Sequence, residues 1–160
     1  MSDFLELGLD ATYAQKTSDD WYTPPWVFEG LGVTFDLDVC APIGGLPWVP
    51  AQRSLSILDD GLLQEWTGRV WMNPPYSEPL PWVNKFITHN NGICLTPTSQ
   101  GKWMLEVWAS RAGWLMLPPM RFVFADLTIA KNTLPNRCWL IAMGEENIET
   151  LRASGLGFVR

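Results

Sequence analysis

Residues Val70 to Pro79, VWMNPPYSEP, set a neutral amide, two prolines and a tyrosine directly behind a short apolar run. Val70, Trp71 and Met72 read as a buried strand, and Pro74 and Pro75, which have no N–H to give a ladder, must end it. A stiff loop at a strand's carboxyl end is where open α/β sheets place their ligands. The chemistry open to this loop is narrow. Asn73 is a poor general base because its amide stays neutral, yet its side-chain oxygen accepts hydrogen bonds. An amine with two N–H bonds could give one to Asn73 and the other to the Pro74 main-chain carbonyl. That would draw its lone pair out of ring conjugation, toward a tetrahedral form that attacks an electrophile. Tyr76 offers a π-face for the ring. Asn73, Pro74, Pro75 and Tyr76 are therefore candidate catalytic residues for a reaction at an exocyclic amino group.

The elements that must position this loop follow from patterning. Residues 1–17 are polar, acidic and aperiodic and read as a flexible arm, leaving 18–160 as a single domain. In DDWYTPPWVFEGLG, Thr23 is a candidate cap with Pro24 at the first helical position, Trp26, Val27 and Leu31 on the apolar face, and Gly32 at the end. VTFDLDVCAP predicts a buried strand closing near Cys40, IGGLPWVPAQ a loop, and Ser54 to Leu58 a short strand before a turn over Asp59 to Trp66. PLPWVNKFITHN predicts a helix, GICLTPT a strand, GKWMLEVWASRAG a helix, and WLMLPP and RCWLIAMG two further strands. Strands alternating with helices predict an α/β fold, mostly parallel, with helices on both faces of the sheet.

Composition removes several classes of chemistry. A single histidine, His89, leaves no Ser/His/Asp triad and no His-based metal cluster, and His89 itself reads as a bystander. Cys40, Cys94 and Cys138 are odd in number and lie in apolar stretches, as reduced thiols do, so no metal is expected. No apolar run reaches a membrane span and the amino terminus is acidic, which predicts a cytoplasmic protein with no membrane partner. The net charge is −6, unevenly spread. Residues 1–80 hold three Lys/Arg against twelve Asp/Glu, and residues 81–160 eight against five. Lys85, Lys102, Arg111, Arg121, Lys131 and Arg137 could form a basic face for a polyanion.

Asn-Pro-Pro-Tyr after a hydrophobic strand resembles the signature loop of amino-methyltransferases that use S-adenosylmethionine. Together with DDWYTPPWVF, FDLDVCAP and DDGLLQEWTGRVWMNPPYSEPLPWVNKF, it looks like the small phage-type Dam family of DNA N6-adenine methyltransferases, over roughly residues 18–145. The resemblance implies a Rossmann-like methyltransferase fold, S-adenosylmethionine as cofactor, double-stranded DNA as partner, and methyl transfer to N6 of a flipped-out adenine. For a phage-encoded enzyme it also implies the bacterial host cytoplasm. It places Thr23, Pro24, Asp36, Asp38, Cys40, Asp60 and Asn73 around the cofactor. Asp38 is favoured over Asp36 because it is nearer the strand's carboxyl end, and Asp59 and Asp60 remain open to a plain turn before Gly61. Toward DNA the resemblance assigns Tyr76, Ser77, Lys102, Arg121 and Phe122, with Arg121 on a phosphate and Phe122 beside the base. Cytosine N4 and protein glutamine N5 present an amino group to the same clamp. A methyltransferase-like protein that binds without turnover is the non-enzymatic alternative, since Gly44 and Gly45 lack the G-x-G-x-x-G spacing.

Overall fold

The computed structural model describes residues 17–133 and 137–160. Of the expected arm, only Thr17 falls within them. A 3-10 turn at Ser18–Asp20 is closed by a reciprocal capping box between Thr17 and Asp20. Helix α1 (Pro25–Leu31) follows, buries Val27, Phe28 and Leu31, and stops where Gly32 turns left-handed at φ 63° and returns its N–H to the Phe28 carbonyl. The helix starts one residue later than the Thr-Pro pattern predicts, because Pro25 takes the first position and Pro24 the cap. Thr23 caps nothing: its hydroxyl is buried with no hydrogen-bond partner among the described residues.

Six strands form one sheet: β1 (Phe35–Asp38), β2 (Ala51–Ser54), β3 (Val70–Met72), β4 (Gly92–Pro97), β5 (Gly113–Met116) and β6 (Cys138–Met143). Helices α2 (Leu80–His89), α3 (Lys102–Ala109) and α4 (Glu145–Ala153) are the further helices among the described residues. The spatial order is β2-β1-β3-β4-β6-β5. β1 pairs in parallel with β2 and β3, and β3 with β4, whereas β6 runs antiparallel to both β4 and β5. The expectation of a mostly parallel sheet is thus corrected to a mixed one. The physical reason lies in the connection. A parallel return needs a crossover, usually helical, and among the described residues the segment between β5 and β6 contains no helix, so the chain re-enters the sheet reversed.

Alternation along the strands divides the core between two faces. Val70 and Met72 of β3, with Cys94 and Ile141, pack with Val83 and Phe86 of α2 and Trp103 and Val107 of α3. Trp71, Ile93, Leu95, Leu140 and Ala142 face the other way, toward Phe28 and Leu31 of α1 and Leu151 of α4. Strand β2 begins three residues before the predicted Ser54. The apolar Ile57 and Leu58 that drew the expectation stand 85% and 76% exposed on the following loop. That loop is held from beneath by Lys85, whose Nζ donates to the carbonyls of Leu62 (2.7 Å) and Gln64. Trp66 Nε1 adds a bond to the Gly61 carbonyl at 2.8 Å. Helix α4 was not anticipated from the sequence. Its signals are the acidic first turn of Glu145 and Glu146, and Arg152 in the last turn, both matched to the helix dipole.

Candidate active site

The carboxyl ends of β1, β2 and β3 open into a cavity of about 720 Å³. β1 is flanked by β2 on one side and β3 on the other, so the chain leaves it in opposite directions and a crevice opens at the carboxyl edge. Cys40 and Ile43 behind β1, Ile57 and Asp60 behind β2, and Asn73 and Pro75 behind β3 line it. Asp19, Asp20 and Tyr22 approach from the segment before α1. Gly61 fits only as glycine, since a Cβ there would come within 2.6 Å of the Val39 carbonyl and 3.0 Å of Trp82.

Asn73 is buried and both ends of its amide are engaged. Nδ2 donates to the Trp21 carbonyl at 2.7 Å, and Oδ1 accepts from the Tyr76 hydroxyl at 2.7 Å. The oxygen expected to receive a substrate amine therefore already holds a donor. Tyr76 does not line the cavity; its ring meets Trp21 and Phe122 edge to face, with centroids 6.3 and 6.2 Å away. Trp21 and Phe122 stack at 5.4 Å. Burial pushes the Tyr76 hydroxyl well above its ordinary titration range, which keeps it a donor.

Asp38 and Asp36 part company. Asp38 is buried, accepts from the Cys40 N–H at 3.2 Å, and has its carboxyl pushed up to about 7 by burial, against the pull of that hydrogen bond. It faces a smaller adjoining hollow of about 280 Å³, together with Gly44, Gly45, Arg53 and Ser54. Asp36 is exposed, outside the cavity, and receives the Arg69 N–H at 2.7 Å. Burial pushes the neighbouring Tyr22 up to about 12, with Asp20 and then Asp38 adding to it.

Thr23 and Pro24 do not line the cavity, and the Thr23 carbonyl accepts from Trp48 Nε1 at 2.9 Å. Cys40 and Asp60 face into it. Ser77 is gripped by Asp19, Phe122 is both core and part of the aromatic cluster, and Lys102 and Arg121 are exposed. The basic face is smaller than the sequence implies. Lys85 is spent on carbonyls, and Arg111 follows the end of α3 opposite Lys102. Arg137 stays beside β4 through the Thr98 N–H to its carbonyl (2.8 Å), and Ala130 N–H to the Phe122 carbonyl (2.8 Å) brings Lys131 near Arg121. His89 Nε2 lies 2.8 Å from the Gly68 carbonyl, away from the cavity. Among the described residues no group of three or more His, Cys, Asp or Glu side chains could hold a metal ion, and no helix is long and apolar enough to cross a membrane.

Sequence reasoning missed Asp19, Asp20, Trp21 and Tyr22 as site residues. Their signal was their place in DDWYTPPWVF, a segment that carries the resemblance, directly before the Thr-Pro pair. Ile43 and Ile57 were missed because exposed apolar residues in loops carry no periodicity.

A family model described as DNA N-6-adenine-methyltransferase (Dam) matches residues 10–115. The chain belongs to the Dam family. This Dam-family chain is also 35% identical over 100 residues to the DNA N-6-adenine-methyltransferase of Haemophilus phage HP1 (strain HP1c1). The aligned part is 56% of either protein, so the Dam-family match spans little more than half of that relative's length. No solved structure matches the chain.

Proposed function

We propose that this chain is an S-adenosylmethionine-dependent DNA adenine-N6 methyltransferase, and that its sheet is a Rossmann-like methyltransferase fold with the reversed β6 inserted between β4 and β5. The observation that carries the reading is the Asn73-Pro74-Pro75-Tyr76 loop standing at the carboxyl end of β3, with Asn73 and Pro75 opening onto the cavity. Family membership and the phage relative support adenine in DNA as the target.

The cavity suits the cofactor. Its volume is within the roughly 300–1,000 Å³ common for small-molecule sites. Its walls combine apolar Ile43, Ile57 and Trp82 with the carboxylates of Asp19, Asp20 and Asp60, and among the described residues no lysine or arginine lines it. Such a lining fits a ligand that carries positive charge and no phosphate. Cys40, Ile43, Ile57 and Asp60 would hold S-adenosylmethionine, which when bound supplies an electrophilic methyl group on a sulfonium.

The chain's own residues handle the amine. A target base must leave the duplex stack, at a cost of a few kcal/mol. Once it arrives, its N–H replaces the Tyr76 hydroxyl on Asn73 Oδ1, and the second N–H goes to the Pro74 carbonyl. The freed Tyr76 ring then stacks on the base. Neither acceptor is basic enough to take the proton before transfer, so it leaves the methylated ammonium for water afterward. Arg121, Lys131, Arg137 and Lys102 provide phosphate contacts near the carboxyl end of β4.

Incubation with labelled S-adenosylmethionine and unmethylated duplex DNA, followed by nucleoside mass analysis, tests the proposal. Label in N6-methyladenine supports it. Label in N4-methylcytosine or only in protein glutamine would overturn the choice of substrate.

A further inference from the structure

An asparagine amide has two nearly isosteric ends, of which only the oxygen can receive an amine. Something must choose which end faces the target. The Trp21 carbonyl makes that choice: it can only accept, it lies 2.7 Å from Nδ2, and so it commits the nitrogen to itself and leaves Oδ1 for the donor side. The Trp21 carbonyl belongs to a strap, Thr17 to Tyr22, that touches the Asn73 loop at both ends. At the far end the Asp19 carboxylate brackets Ser77, with Oδ1 accepting from Ser77 N–H at 3.0 Å and Oδ2 from Ser77 Oγ–H at 2.6 Å. The strap is seated by a reciprocal backbone pair, Tyr22 N–H to the Val123 carbonyl (2.8 Å) and Val123 N–H to that of Tyr22 (2.9 Å). Trp21 stacks on the adjacent Phe122. Tyr76 lies between the two points of attachment, Asn73 and Ser77.

We propose that Asp19 is a positioning residue: by holding Ser77 it keeps the Trp21 carbonyl against Asn73 Nδ2, and so fixes the amide with its oxygen turned to the incoming amine. This rests on the reading of Asn73 as the amine acceptor. The strap orders the loop without touching the reacting atoms, so its loss lowers the rate of the chemical step more than it weakens cofactor binding.

The experiment compares Asp19→Ala and Asp19→Asn in the full chain. It uses steady-state methyl transfer to duplex DNA and the solvent-exchange rate of the Asn73 side-chain amide in nitrogen-15 spectra. Asp19→Ala is expected to lower kcat about 10-fold or more, as small misplacements of a reacting group do. Its KM for S-adenosylmethionine should change by a smaller factor than kcat, although Asp19 also borders the cavity, and the Asn73 amide should exchange faster. Asp19→Asn should recover most of the rate and the protection, because a carboxamide can still accept from Ser77 N–H and donate to Ser77 Oγ. Unchanged kcat and exchange in Asp19→Ala would overturn the proposal. So would an Asp19→Asn variant as impaired as Asp19→Ala with a raised cofactor KM, which would make Asp19 a charge partner of the cofactor. If the wild-type chain transfers no methyl to DNA, the proposed function fails, and the exchange comparison by itself still decides for or against the strap.

Discussion

Asp38→Asn removes a carboxyl that the fold holds almost wholly out of water at the end of β1. Asp38 is 4% exposed and accepts one N–H, from Cys40; no ion pair to it is found among the described residues. Burial lifts its titration from an ordinary 3.8 to about 7. Between those values the native protein keeps a proton that the unfolded chain has released, so this group makes stability fall as pH rises. The penalty is absent below the ordinary carboxylate range and fully present above about pH 7. At about 1.4 kcal/mol per pH unit it amounts to roughly 4 kcal/mol. An asparagine carries no such penalty and keeps an oxygen for the Cys40 N–H. Urea unfolding of both ligand-free proteins should therefore show Asp38→Asn gaining roughly 3 kcal/mol on wild type between about pH 5 and about pH 8. Parallel pH profiles would refute the reasoning, since they would mean that the carboxylate ionises in the folded chain at no extra cost. A buried acid with no ion-pair partner among the described residues is the kind of group that gathers at functional sites, and Asp38 faces the smaller hollow beside Gly44, Gly45 and Ser54.

Tyr76→Phe deletes the donor that now occupies Asn73 Oδ1; the ligand-free protein should lose about 1–2 kcal/mol in urea unfolding. In methyl-transfer kinetics it should keep more activity than Tyr76→Ala, which also loses the stacking face. Lys85→Met strips the Leu62 and Gln64 carbonyls of their shared donor, and should cost roughly 1–3 kcal/mol of stability while weakening S-adenosylmethionine binding in calorimetry, because the same loop carries Asp60. Arg121→Ala should weaken DNA binding about equally for all sequences and flatten its dependence on salt by about one unit of slope in a titration.

What the sequence made legible is what depends on local pattern. The apolar triplet Val70–Met72 and the prolines after it located β3 and the loop, and periodicity located α2, β4, α3, β5 and β6. The reversal of β6 was not legible, because direction depends on whether a connection crosses over the sheet, and no residue of the strand encodes that. Ile57 and Leu58 look like strand residues by apolarity and stand in solvent, Ile57 on the cavity's rim. Asp36 and Asp38 look alike by alternation, yet the Arg69 N–H holds Asp36 at the surface while Asp38 is sealed behind Cys40. The strap was hidden for a different reason: the Asp19–Ser77 and Trp21–Asn73 contacts join residues more than fifty positions apart, through hydrogen bonds that leave no periodic trace.

The most direct test of the central claim separates binding from transfer at Asn73. With Asn73→Ala, S-adenosylmethionine affinity measured by calorimetry should remain within about twofold of wild type. Single-turnover methylation of adenine in duplex DNA should drop by about 100-fold or more, since the amine loses an acceptor at the moment its lone pair is needed. Wild-type-like turnover in Asn73→Ala would contradict the account, because the loop at the end of β3 would then not be where the amine is held.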